Sequence, residues 1–356
     1  MKRVLHINYD FILGGVEALI MSTYRNIDRN KLQFDFIIAG SRPVHFKEEI
    51  DSLGGKIYYI RKKGGFINNL IFMFKLYKFL KQHNYYAIQT HFADTGGFDC
   101  LAAYLAGVKK RYTISHGSKP LRFWKRPLSR YLMGKFATKR LAVSSKAGKA
   151  LYGSYPYEVI KNGIDCKKFS FNAEQRAAGR ERLNLKDKFV IGNISRFSKE
   201  KNQMFLLDIF SSIYNRNKSA VLLFAGSGKT EQTVKDKVKE KGLEDSVLFL
   251  GEQADCSYLY QVMDCFVFPS KTEGFGIVAI EAQSSGLYCF VSDGVPDEAV
   301  ICNTAKIPLS KTADEWADII LKKTNNFDRK DCSDIIIKAG YDTKDTSKAL
   351  QKEYLK

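Results

Sequence analysis

The residues best placed to do chemistry lie in the stretch 270–281, SKTEGFGIVAIE, directly after the apolar run CFVFP at 265–269. The apolar run reads as a buried strand and the stretch after it as a turn that opens a helix. Gly274 and Gly276 let the turn present backbone N–H groups, and a helix start carries partial positive charge, so the turn suits a phosphate. Phe275, Ile277 and Val278 complete the turn and would offer their amides to the same anion. Glu281 stands about 8 Å along the axis at 1.5 Å per residue, and helical side chains lean back toward the N-terminus. That distance is about the step from a diphosphate to the hydroxyls of a ribose. Glu273 lies on the open side of the turn. Two carboxylates beside one anion repel it unless each binds sugar hydroxyls; the plainer alternative is a helix start with one capping glutamate.

Other residues with chemical potential sit at the ends of apolar runs. His116 follows TIS and precedes Gly117, placing it where a strand gives way to a loop. A lone histidine is more often structural, and His6, His45, His83 and His91 have no comparable setting, although His91 also ends a strand. Gly14 and Gly15 open a helix after the first strand without forming a G-x-G-x-x-G fingerprint. The run AGSGKT at 225–230 imitates a P-loop, but Leu223 occupies the position of that motif's first glycine, so Gly226 reads as part of a glycine turn.

These residues need a frame to position them. In the first half, strands are expected at 3–9, 32–39, 56–60, 86–91, 111–115 and 140–144, alternating with helices at 16–27, 46–53, 67–83, 98–107 and 124–136. In the second half strands are expected at 189–193, 220–225, 247–250, 265–269 and 287–292, with helices at 203–214, 231–241 and 258–263 and the Glu281 helix between them; 343–355 is an amphipathic helical pattern. Such alternation implies parallel sheets covered on both faces, with ligands at the carboxyl ends of the strands. A chain of 356 residues suits two domains. Its seven cysteines are scattered and contain no C-x-x-C, the pattern of reduced packing residues in a cytoplasmic protein. The start, MKRVLHINYD, reads as a strand and not a signal peptide, and no window of about 20 apolar residues occurs. The formal charge of +19 divides into +17 for 1–165 and +2 for 166–356, so one half is expected to meet something anionic.

The spacing Glu273-x(7)-Glu281, with G-F-G directly after the first glutamate, resembles the retaining glycosyltransferases of family 4. The resemblance extends over nearly the whole chain and is most specific in its second half. It implies an α/β GT-B fold, two Rossmann-like domains facing across a cleft: 1–165 on the acceptor side, 166–340 on the nucleotide-sugar side, and a helix at 341–356 crossing back to the first. The segment EVIKNGID at 158–165 is similar to the family's hinge. Arg196 and Lys201 match an R-x(4)-K pair that grips the donor diphosphate, an arginine fork and a lysine point charge. Gly14 and Gly15, followed by Glu17, match a Gly-Gly-x-Glu that approaches the diphosphate, and Gly226 matches a glycine turn beside the nucleotide. His116 corresponds to a histidine beside the transferred sugar, Glu273 to the group on the sugar hydroxyls, and Glu281 to the group on the ribose. No Asp-x-Asp occurs, so the resemblance implies a metal-independent enzyme with no cofactor beyond its co-substrate, a UDP-sugar.

The similarity is strongest to bacterial capsular and exopolysaccharide enzymes, which implies a lipid-linked saccharide acceptor and a cytoplasmic protein peripheral at the inner face of the membrane. Two basic segments support that expectation. The stretch 61–80 has five basic residues and 118–140 has eight; neither has an acidic one, and both interleave cations with aromatics and leucine. In the first, Leu70, Met73, Phe74, Tyr77 and Leu80 also fit a core-facing stripe. In the second, Arg122, Lys125, Arg126 and Arg130 are the expected lipid contacts. Two alternatives remain open: a nucleotide-sugar 2-epimerase of the same fold, distinguished by releasing nucleotide without an acceptor, and a basic nucleic-acid-binding protein, for which no recognition motif is present.

Overall fold

The run LQFDFII at Leu32–Ile38 is buried along its whole length, as a strand must be when a parallel sheet is covered on both faces. The computed structural model describes residues 1–12, 14–117 and 127–356. They form two units, Met1–Gly163 with Thr343–Lys356, and Ile164–Asp342.

Among the described residues, the first unit has strands β1 (Lys2–Asn8), β2 (Leu32–Ile38), β3 (Ile57–Tyr59), β4 (Ala87–Thr90), β5 (Lys110–Ser115), β6 (Lys139–Ala142) and β7 (Glu158–Val159). Their order is β3-β2-β1-β4-β5-β6-β7, all pairs parallel. Strand order therefore reverses between β1 and β4, the place where open α/β sheets bind ligands. The helix Thr343–Leu355 belongs to this unit. Tyr354 is fully buried between Phe34 and Tyr112, and Lys110 Nζ and Tyr112 Oη donate to the last carbonyls, those of Tyr354 and Glu353, at 3.1 and 3.2 Å. A lysine at that end also complements the helix dipole.

The second unit has β8 (Phe189–Ile194), β9 (Ala220–Ala225), β10 (Val247–Phe249), β11 (Cys265–Phe268), β12 (Tyr288–Ser292) and β13 (Thr304–Ile307), in the parallel order β10-β9-β8-β11-β12-β13. Its reversal falls between β8 and β11. Leu222, Phe224, Val267, Phe210 and Trp316 form the core beneath. The sheet closes tightly at Gly192, where a Cβ would stand 2.1 Å from Met263 Sδ.

The two basic segments depart from expectation. In the helix Phe66–Gln82 the core stripe is Phe72, Leu76 and Leu80, with Met73 and Tyr77 packed against it, so three of the five expected positions face the core; Leu70 and Phe74 are exposed, with Phe66, Ile67 and Ile71 beside them. The helix is apolar on more than one face, so periodicity permits two stripes and the sheet selects one. In the second segment, residues 118–126, including Arg122, Lys125 and Arg126, lie outside the described residues. Arg130 is half-buried and serves the fold: Nε and Nη2 donate to the carbonyls of Leu151 and Ala150 at 2.9 and 3.0 Å, closing the helix Ser145–Tyr152. Lys139 pairs with Glu158 and Glu353 at 2.7 and 2.8 Å, and Arg140 donates to the carbonyl of Pro156. These cations serve the fold.

Candidate active site

Three loops meet at the carboxyl ends of β8, β9 and β11 in the second unit. The loop after β8 carries Arg196, which is exposed and makes no ion pair among the described residues, and Lys201. Asn202 ends it at φ 59°, in the left-handed region, and its Nδ2 donates to the Pro269 carbonyl at 3.1 Å. The amide of Lys271 donates to the Glu200 carbonyl at 2.8 Å. These two bonds stitch the β8 loop to the β11 loop. The β9 loop lies against the other side. A Cβ on Gly226, at φ 129°, would stand 2.2 Å from the Ser195 carbonyl oxygen, so this glycine is required for backbone to pass backbone.

The stitching brings Lys201 Nζ to 2.7 Å from Glu273 Oε1, with the ammonium 4.8 Å from the Phe268 ring centroid. Glu273 is only 8% exposed, and its amide donates to the Gly294 carbonyl. Gly276 follows at φ 93° and precedes the helix Ile277–Ser284, which no side chain caps. The amide of Ala279 donates to the Gly276 carbonyl at 2.9 Å, and those of Ile277 and Val278 have no partner within the helix. Ile277 and Val278 are half-buried there. Phe275 offers only its backbone: its ring is buried and stacked on Tyr341, centroids 5.5 Å apart. Glu281 Oε2 accepts a hydrogen bond from Tyr260 Oη at 2.6 Å. Burial pushes the Glu281 carboxyl up to about 6, against the pull of Tyr260. One face thus gathers a cation, an open helix start and two carboxylates. Among the described residues no three His, Cys, Asp or Glu side chains gather as metal ligands.

In the first unit, Gly14 is the N-cap of the helix Gly15–Asn26; a Cβ there would stand 2.7 Å from Glu17 Oε2, so Glu17 folds back over the start of its own helix. Leu13 lies outside the described residues. His116 follows β5, and here the structure corrects the sequence reading. His91 and His6 are its companions, with His91 Nδ1 2.9 Å from His116 Nε2 and His6 Nδ1 3.1 Å from His91 Nε2. The rings stack with interplanar angles of 16° and 24°. Burial lowers all three, His116 to about 4, His6 to about 3 and His91 well below the ordinary range, so the chain is neutral at pH 7. The signal in the sequence is that His91 ends a strand as His116 does; their adjacency follows from sheet order.

Comparison with known proteins assigns the family. Residues 13–168 match the model of Glycosyltransferase Family 4, and residues 175–336 that of Glycosyl transferases group 1. The chain is 32% identical to the putative glycosyltransferase EpsF of Bacillus subtilis over 99% of its own length and 96% of that protein. The chain is a family 4 glycosyltransferase. The enzyme is also 24% identical to the UDP-Gal:alpha-D-GlcNAc-diphosphoundecaprenol alpha-1,3-galactosyltransferase of Escherichia coli, covering 82% of this chain and 79% of that one. Among solved structures, Anabaena Alr3699/HepE in complex with UDP and glucose superposes with a TM-score of 0.81 at 18% identity, covering 99% of both chains. The fold is GT-B.

Proposed function

We propose that the enzyme transfers a sugar from a UDP-sugar to a lipid-linked saccharide acceptor in capsular or exopolysaccharide assembly, with retention of configuration and without a metal ion. The observation that carries this reading is Lys201 beside Glu273 at the uncapped start of the helix Ile277–Ser284. A diphosphate entering there would take the Lys201 charge, the first-turn N–H groups and the Arg196 fork, and Glu273 would be released to accept from the sugar hydroxyls. Glu281 would accept from the ribose, and His116 would meet the transferred sugar. As the bond from C1 to the phosphate oxygen breaks, its electron pair stays on that oxygen, which takes the acceptor hydroxyl's proton while the acceptor oxygen bonds to C1 on the same face. The protein supplies positioning and charge neutralisation. The Escherichia coli relative, named for UDP-galactose and a diphosphoundecaprenol-linked acceptor, supports both substrates. Activity is expected to persist in excess EDTA, and NMR of the product should show the donor's anomeric configuration. Loss in chelator reversed by Mg²⁺, or an inverted product, would end this reading.

A lipid-linked acceptor calls for membrane contact, and no helix of the described residues is long and apolar enough to cross a bilayer. The helix Phe66–Gln82 presents Phe66, Ile67, Leu70, Ile71 and Phe74 to solvent alongside exposed Lys75, Lys78 and Lys81. Apolar side chains flanked by cations, with no acidic residue between 61 and 82, suit the interface of an anionic leaflet, where each cation adds about 1 kcal/mol. The enzyme should sediment with phosphatidylglycerol vesicles at low salt and be released by high salt. Phe66→Ser with Ile67→Ser and Phe74→Ser should lose most of that binding while UDP affinity holds; equal sedimentation of parent and variant would place the contact elsewhere.

A further inference from the structure

We propose that Gln89 and His91 are positioning residues that hold His116 in one tautomer, with its proton on Nδ1, so that the ring offers the substrate a hydrogen-bond donor and not a base. A neutral imidazole has one N–H and one bare nitrogen, so two ring-to-ring hydrogen bonds among three neutral rings can run in only two directions. Either each proton points from His6 toward His116, or each points back.

Gln89 decides the direction. His6 on β1 is paired in register with Gln89 on β4. The Gln89 Oε1 accepts from Tyr354 Oη at 2.6 Å, which leaves Nε2 as the atom 3.5 Å from His91 Nε2. An amide nitrogen only donates, so His91 Nε2 is an acceptor, shared with His6 Nδ1–H at 3.1 Å. The proton of His91 is then on Nδ1 and is given to His116 Nε2 at 2.9 Å. That leaves the His116 proton on Nδ1, which makes no hydrogen bond among the described residues. A flipped Gln89 amide would strand the hydroxyl proton of Tyr354, whose ring is fully buried. The reverse direction would also put the proton of His6 on Nε2, a buried atom with no partner among the described residues, and an orphaned N–H is the arrangement proteins avoid most. The middle ring and the His6 end therefore favour the same direction.

A His116 locked in this form cannot take the acceptor's proton through Nδ1. It can hold a hydroxyl or ring oxygen of the sugar by donation, which leaves the proton to the departing phosphate. This functional half rests on the reading above, that His116 meets the substrate; the tautomer does not.

The two parts separate in experiment. In enzyme labelled with ¹⁵N-histidine, long-range proton–nitrogen correlation spectra should show His116 protonated on Nδ1 and bare on Nε2. A parent spectrum with the proton on Nε2 overturns the proposal without any variant. Gln89→Glu places an acceptor opposite His91 Nε2, still satisfies Tyr354, and should reverse the chain so that the His116 proton moves to Nε2. With the donor lost, kcat measured well below the variant's thermal midpoint, which the buried carboxylate and the stranded His6 proton should lower, should fall roughly ten- to hundredfold, the scale of one hydrogen bond to a charged or reacting group, with KM for the donor changed less than about twofold. A reversed tautomer with unchanged kcat overturns the functional half. If His116→Ala retains full activity while the parent spectrum is as stated, the substrate-facing role of His116 fails and the tautomer assignment survives.

Discussion

Lys201→Ala is expected to weaken UDP binding about ten- to hundredfold and to lower kcat by a further hundredfold or more. Two effects combine. The ammonium that would meet the diphosphate is lost, and so is the partner of Glu273, which Lys201 holds at 2.7 Å in a site that leaves the carboxylate 8% exposed. An uncompensated carboxylate beside an incoming diphosphate repels it, so the variant loses an attraction and gains a repulsion. The partition is measurable. In a Glu273→Gln background the cost of Lys201→Ala for UDP should shrink, because the repulsion is gone, and the double-mutant cycle reads the coupling directly. Calorimetry against uridine gives the control, since a nucleoside has no phosphate for Lys201 to hold. Equal losses for uridine and UDP would mean that the substitution has disturbed the loop and not the anion site.

The reach of the sequence follows from the same geometry. Strand–helix alternation is legible because the central strands are covered on both faces and read as plain apolar runs, as AVLLFA does in β9. The edge strand β13 escapes it, since TAKI buries only Ile307. The helix Ala173–Arg182, AEQRAAGRER, has no apolar stripe to read and is fastened instead by Arg180 and Arg176 to Asp264, a partner far along the chain. The helix Ala313–Thr324 does carry a local signature, the Thr312–Glu315 capping box. The turn at Gly274 and Gly276 declares itself because glycine spacing and a strand-to-helix switch are local. The pairing of Lys201 with Glu273 is not local; it exists because β8 and β11 are neighbours at the point where strand order reverses. The histidine chain is hidden for the same reason. His91 and His116 each follow a strand end while His6 lies inside one, and the three touch only because β1, β4 and β5 lie side by side. What the sequence states least is thus what topology creates, contacts between the ends of strands distant in the chain.

Glu281→Gln should make the free enzyme more stable and the donor complex weaker, and the two effects have opposite pH dependence. Burial raises the Glu281 carboxyl from 4.5 to about 6 in the folded state, although Tyr260 donates to it. Between about pH 4.5 and 6 the native state therefore binds more protons than the unfolded chain, so this residue's contribution falls as pH rises through that window and stays low above it. At neutral pH the buried charge costs on the order of 1–2 kcal/mol. Glutamine carries no charge and can still accept from Tyr260, so its thermal midpoint at pH 7.5 should exceed the parent's by about 2–4 °C, and the gap should close below about pH 5. For the ligand the sign is reversed. Ribose hydroxyls favour an ionised, acceptor-only carboxylate, so at pH 7.5 the variant should bind UDP about tenfold more weakly. As pH falls through 6 the parent loses that advantage, because the proton and the ribose compete for the same oxygens. The terminal phosphate of UDP itself titrates near pH 6, but it does so for both proteins, and the ratio of their dissociation constants isolates Glu281. That ratio should shrink from about ten at pH 7.5 toward one at pH 5. A variant that gains the stability yet binds UDP like the parent at pH 7.5 would show Glu281 to be a buried charge serving Tyr260 alone, and the ribose would have to be sought elsewhere on the unit.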